Sequence, residues 1–130
     1  MNDELKYSTI KFDKALKRLE LGINKAKDQL DNDGVIQRFE FTFELAWKTV
    51  RLFLLNEGII TRSPKEALRQ AFKFGLITDE ETFIDMLSDR NQTVHIYSEQ
   101  MSKDIVTRIK KNYLLLLKKL AEELKIQSKK

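Results

Sequence analysis

An all-α fold, an antiparallel up-and-down helical bundle of the four-helix type with one or two short extra helices, follows from three features of this sequence. One proline and four glycines occur in 130 residues, too few for the tight turns of a sandwich or barrel. Apolar residues recur at spacings of three and four over three long stretches, the period of a helix with one buried stripe. No stretch alternates apolar and polar residues as a strand does.

The first helix is expected over roughly residues 8–31, with Phe12, Leu16, Leu19, Ile23, Ala26 and Leu30 on one stripe. "DNDG" (31–34) reads as the turn that follows, with Asn32 or Asp33 capping the next helix. The second helix is expected over roughly 34–57. Its main stripe is Val35, Ile36, Phe39, Phe43, Ala46, Trp47, Val50, Phe53 and Leu54, with Phe41, Leu45, Leu52 and Leu55 off it. A helix apolar on more than one face is central or carries an interface. Gly58 is its expected stop.

"SPKE" (63–66) starts a short helix. Ser63 caps, Pro64 suits the first helical position and Glu66 completes a capping box. Ala67, Leu68, Ala71 and Phe72 follow, and Gly75 ends it. "TDEE" (78–81) repeats the device with Thr78 and Glu81, before a helix that buries Phe83, Ile84 and Leu87. The last helix is expected to begin between Gln92 and Met101 and to run to about Ile126. Its stripe is Ile105, Ile109, Tyr113, Leu116, Leu117, Leu120 and Leu124. Short connections between long helices give the bundle, and the surplus apolar surface on the second and last helices predicts a homodimer.

A chain of this size is expected to form one domain over residues 1–130. The absence of cysteine excludes disulfides and thiolate metal sites. With one histidine as well, no metal is expected. No GxxxxGK[ST] or glycine-rich fingerprint occurs, so no nucleotide cofactor is expected. The N-terminal stretch "MNDELKYSTIKFDK" lacks the apolar segment of a signal peptide. No apolar run approaches the roughly 20 residues of a membrane span. A cytoplasmic protein without a membrane partner is the expectation. The net charge of +4 combines +6 from residues 101–130 with −2 from residues 1–100. Such a basic last helix either attracts polyanions or keeps the surface solvated.

The stretch "DRNQTVHIYSE" (89–99) concentrates the residues able to do chemistry: Arg90, Asn91, His95, the only histidine, and Tyr97. Imidazole as a class titrates near pH ~6.5 and can exchange protons in the cell. Arginine offers a planar fork that grips phosphate at two points. Asparagine donates or accepts a hydrogen bond. Together these suffice to cut RNA without a metal: a base takes the 2′-hydroxyl proton, the oxygen attacks phosphorus, and cationic groups hold the growing charge. Five residues along an ideal helix place Arg90 and His95 about 140° apart. A shared site therefore needs a helix break between them or a partner subunit. On spacing alone a capped turn is the simpler reading, with Arg90 paired to Asp85 or Asp89.

Three stretches, "RFEFTFELAWKTVRLFL" (38–54), "SPKEALRQAFKFGLI" (63–77) and "FIDMLSDRNQTVHIYSE" (83–99), resemble the nucleotidyltransferase substrate-binding protein family. That family belongs to the HEPN superfamily and includes the HepT-like toxins. The third stretch is the most specific, because it carries an R-x4-H-x-Y element without departure. The resemblance implies a dimeric helical bundle working with a minimal nucleotidyltransferase of the MntA type. It implies one of two roles. In the first, the chain is a metal-independent endoribonuclease toxin that acts on RNA through Arg90, Asn91 and His95 and is silenced by AMP transfer to Tyr97. In the second, it is a non-catalytic nucleotide- or substrate-binding subunit of a two-component nucleotidyltransferase.

Overall fold

The computed structural model describes residues 2–96 and 98–130. Six α-helices lie in the order α1 (Asp3–Lys25), α2 (Gln29–Asn56), α3 (Pro64–Phe74), α4 (Glu80–Gln92), α5 (Glu99–Arg108) and α6 (Leu114–Ser128). A 3₁₀ turn (Thr93–His95) follows α4, and a π-helical turn (Ile109–Tyr113) joins α5 to α6 as one continuous rod. No strand occurs among the described residues. The all-α bundle expected from the sequence is present. The long α1, α2 and α5–α6 rods pack together, with α3 and α4 closing one side.

Several boundaries differ from those expected, each for a local reason. Helix α1 starts at Asp3 because the Asn2 side chain accepts the Leu5 N–H at 2.8 Å. It ends at Lys25, with Ala26 extended. "DNDG" is not a turn but lies inside α2. Asp28 caps that helix by accepting the Asp31 N–H, and Asp31 returns the bond by accepting the Lys27 N–H at 2.9 Å. This reciprocal cap satisfies donors that would otherwise be orphaned. Leu30 consequently leaves the α1 stripe and is 77% exposed. At the start of α4 it is Asp79, not Thr78, that caps, accepting from both the N–H and the hydroxyl of Thr82.

The "SPKE" start occurs as expected: Ser63 Oγ accepts the Glu66 N–H and Pro64 opens α3. Glu66 returns its bond to the Arg62 N–H, one residue earlier than a simple capping box. Phe72, expected on the buried stripe, is exposed. Helices α2 and α3 end alike. The N–H of Ile59 reaches Leu54 O and that of Gly58 reaches Leu55 O, while Leu76 reaches Ala71 O and Gly75 reaches Phe72 O. This double closure needs a left-handed residue, and Gly58 and Gly75 have φ of 84° and 91°.

The core gathers Leu5, Phe12 and Leu19 from α1, Phe39, Phe43 and Val50 from α2, Met86 from α4, and Ile109, Tyr113 and Leu117 from the last rod. Phe39 is its centre, stacked on Tyr113 with ring centroids 5.6 Å apart and tilted against Phe43 at 6.0 Å. Small hydroxyl residues let α1 approach α2 closely. Thr42 donates to Arg38 O and Ala15 O, and the Thr49 hydroxyl meets that of Ser8 at 2.6 Å. At the rim, Asp13 joins α1 to α6 through Lys125 at 3.1 Å and also pairs with Lys17. Burial pushes the Asp13 carboxyl up. Hydrogen bonds and charge from Lys17 and Lys125 outweigh this and hold it below its ordinary value of 3.8.

Two outcomes check this account. Phe39→Ala removes a fully buried ring and costs about 3–5 kcal/mol, whereas Leu30→Ala stays within about 0.5 kcal/mol. Urea midpoints at unchanged slope measure both. Asp13→Asn lowers stability at pH 7 by at most about 1 kcal/mol, because the pair is partly exposed. The Asp13 carboxyl has a lowered folded-state value, so its contribution is present above 3.8 and lost as pH falls through that lowered value. Wild-type and variant melting curves therefore converge in acid.

Candidate functional site at the end of helix α4

Helix α4 stops between Arg90 and His95, one of the two arrangements, with a partner subunit, by which they could share a site. The helix ends at Gln92, and the 3₁₀ turn carries the chain through Thr93, Val94 and His95. The Thr93 hydroxyl donates to Arg90 O at 2.8 Å, closing the last turn from the side chain. Ile96 then takes an extended conformation, and Ser98 caps α5 by accepting the Met101 N–H. Arg90 is half-buried, while Asn91 and His95 are exposed. Arg90 Nη1 donates to Asn91 Oδ1 at 3.4 Å, which brings these two together. Tyr97 lies outside the described residues.

Arg90 pairs with neither Asp85 nor Asp89. Its Nη2 donates to Glu44 Oε2, on α2, at 2.7 Å. The same oxygen accepts the indole N–H of Trp47 at 3.1 Å, and the Lys48 ammonium lies 3.3 Å from the other. Burial pushes the Glu44 carboxyl up, but the bonds from Trp47 and Lys48 and the charges of Arg90 and Lys48 hold it below its ordinary value of 4.5. Glu44 was not among the residues singled out from the sequence. It lies 46 positions from its partner, so no local spacing could have linked them.

Asp89 turns the other way, to the last rod. Its carboxylate accepts Arg108 Nε at 2.7 Å and Arg108 Nη2 at 2.9 Å, and it also accepts the Tyr113 hydroxyl. Arg108 and Tyr113 are five residues apart, about 140° on an ideal α-helix. The wider π-helical turn brings both to one carboxylate. The bonds to Asp89 raise the Arg108 guanidinium above its ordinary range, and burial together with Asp89 raises the Tyr113 hydroxyl. Both partners therefore keep their protons. Asp89 and Arg90 thus tie the end of α4 to the last rod and to α2 respectively.

The surrounding surface is polar. A cleft of about 270 Å³ beside Asp89 is lined by Thr82, Asp85, Ser88, Arg108, Asn112 and Tyr113. A larger cleft, about 490 Å³, lies away from this corner, between Arg18 of α1 and Arg38 and Phe41 of α2. Phe41 is 56% exposed, and Leu55 and Leu115 are exposed as well. The surplus apolar surface expected on the second and last helices is therefore real. Among the described residues, no group of three His, Cys, Asp or Glu side chains is placed to hold a metal ion. No helix among them is long and apolar enough to cross a membrane.

A family model described as nucleotidyltransferase substrate binding protein like matches residues 7–126. The chain belongs to that family. The resemblance noted over residues 38–54, 63–77 and 83–99 thus extends over almost the whole sequence. The probable ribonuclease HepT of Haemophilus influenzae is 33% identical over 81 residues, 58% of this chain and 56% of that protein. The chain therefore spans little more than half the length of that curated relative. A crystal structure of a Thermus thermophilus protein is 35% identical, with a TM-score of 0.80 over 87% of this chain and 98% of that one. The fold is also that of a chain in the complex of tri-AMPylated Shewanella oneidensis HEPN toxin with MNT antitoxin. That chain is 20% identical, with a TM-score of 0.79 and 97% and 99% of the two chains covered.

The anchoring of α4 predicts that Asp89→Asn destabilises the chain by roughly 1–3 kcal/mol, because Tyr113 and Arg108 lose a charged acceptor. Tyr113→Phe costs about 1 kcal/mol. The double variant costs less than the sum, since both changes break one shared bond. A double-mutant cycle by urea unfolding reads the coupling, and strict additivity would refute it.

Proposed function

We propose that this chain is a metal-independent endoribonuclease toxin that a minimal nucleotidyltransferase partner silences by AMP transfer to Tyr97. The observation that carries the reading is the intact R-x4-H-x-Y element at a helix break, with Arg90 held by Glu44 and His95 exposed. Membership of the family, the ribonuclease named among its relatives and the AMPylated HEPN toxin of the same fold support it.

In this reading His95 takes the proton of the 2′-hydroxyl, and the 2′-oxygen attacks the adjacent phosphorus. The bond to the 5′-oxygen breaks, leaving a cyclic phosphate and a 5′-hydroxyl once that oxygen is protonated. Arg90 holds the charge that builds on the phosphate oxygens, and Asn91 steadies the guanidinium from the side. AMP on Tyr97 adds bulk and negative charge two residues from His95, which repels the RNA backbone. The exposed apolar residues of α2 and the last rod, Phe41, Leu55 and Leu115, are the proposed homodimer contacts.

A second reading draws on the family description itself: a non-catalytic subunit that binds nucleotide or acceptor for the transferase. Each chain has only one histidine for proton transfer.

Incubation of the purified protein with total RNA in EDTA separates the two. Wild type is expected to cleave, and His95→Ala to lose about 10²–10⁴ in rate while keeping its melting temperature. Equal cleavage by the variant excludes His95 as the base. If neither cleaves and intact mass shows no AMP on Tyr97, the binding-subunit reading replaces the nuclease. Expressed with the transferase and ATP, the wild type is expected to gain the mass of one or more AMP groups, and Tyr97→Phe to lack those carried on Tyr97.

A further inference from the structure

We infer that Glu44, itself fixed by Trp47, is a positioning residue that holds the Arg90 guanidinium in the orientation in which it meets a phosphate. This inference rests on the endoribonuclease reading. An arginine half exposed to water has about 2 kcal/mol of rotamer freedom to lose before it can clamp a phosphate. Here that freedom is already restricted. The bond from Arg90 Nη2 to Glu44 is charge-assisted and 2.7 Å long.

Glu44 cannot swing freely, because each carboxylate oxygen has a further partner on its own helix, the Trp47 indole on one and Lys48 on the other. An indole N–H only donates, and Trp47, the single tryptophan of the chain, packs its ring against the core. Orientation is thus passed from the core to Trp47, to Glu44 and to Arg90. A guanidinium has five N–H donors. Among the described residues Glu44 and Asn91 take one each, which leaves three for a phosphate.

The arrangement has a second effect of opposite sign. A carboxylate 2.7 Å from the guanidinium repels an incoming phosphate. Glu44 therefore weakens ground-state binding while it fixes geometry. A plain α2–α4 tie would change stability and leave this split untouched.

The test is steady-state cleavage of a short RNA by the full-length chain, comparing wild type with Glu44→Ala, Glu44→Gln and Trp47→Phe. Loss of geometry predicts a fall in kcat of about 10²-fold for Glu44→Ala. Glu44→Gln keeps an acceptor and loses the charge, so it is expected to recover part of kcat and to lower KM. Wild-type kcat and KM in a folded Glu44→Ala overturn the inference and leave the nuclease reading standing. Should Glu44→Ala fail to fold, Trp47→Phe decides, because it keeps the carboxylate and an aromatic ring against the core while it removes the indole donor. A reduced kcat supports the inference, and an unchanged one overturns it. A wild type that does not cleave removes the nuclease reading, and the inference with it.

Discussion

The carboxylate of Asp89 is the joint on which this structure turns. It accepts Arg108 through two nitrogens and Tyr113 through its hydroxyl, and Tyr113 in turn stacks on Phe39 at the centre of the core. A tyrosine buried this deeply needs a partner for its oxygen, and a partly buried carboxylate needs donors. Each supplies the other. The adjacent residue, Arg90, faces the opposite way and finds Glu44. Two consecutive side chains thus fix the roll of α4 against α2 and the last rod. The short turn that carries His95 inherits that position.

Much of the architecture was legible in the sequence because it rests on strong local signals. Ser63, Pro64 and Gly75 bound α3 as they must, since a cap, a ring-locked φ and a left-handed residue admit few alternatives. The stripe Phe39, Phe43, Val50 and Phe53 is buried throughout. Helix geometry alone asked for either a break between Arg90 and His95 or a partner subunit, and α4 does end between them, at Gln92. The errors came where two polar residues competed for one cap. "DNDG" looked like a turn, but Asp28 accepts the Asp31 N–H and Asp31 accepts the Lys27 N–H, so the helix starts earlier and runs through Gly34. Thr78 lost to Asp79 in the same way, because a carboxylate can accept two bonds from Thr82.

The site itself was only half legible. Arg90, Asn91 and His95 lie within one short stretch and could be read together. Their fixing partners could not. Glu44 stands on α2 among residues whose apolar pattern marks a core helix, and its role exists only once α4 lies against it. Trp47 reads as one more stripe residue, yet its indole nitrogen is engaged by that carboxylate. The chain thus assembles its candidate chemistry from a local motif and a long-range frame of ordinary packing residues.

The π-helical turn at Ile109–Tyr113 has a consequence for how this chain lines up with its kin. Ile105, Ile109, Tyr113 and Leu117 are spaced by four throughout and are all buried. Repeated steps of four on an ideal α-helix rotate by about 40° each and would carry the row off the core. The widened turn absorbs that rotation, so the rod holds one residue more than a plain helix of the same reach. A relative with a straight last helix must then show a single-residue gap between the positions of Arg108 and Leu117. Leaving that gap out would misassign every residue of the C-terminal helix by one position and turn its core face to water.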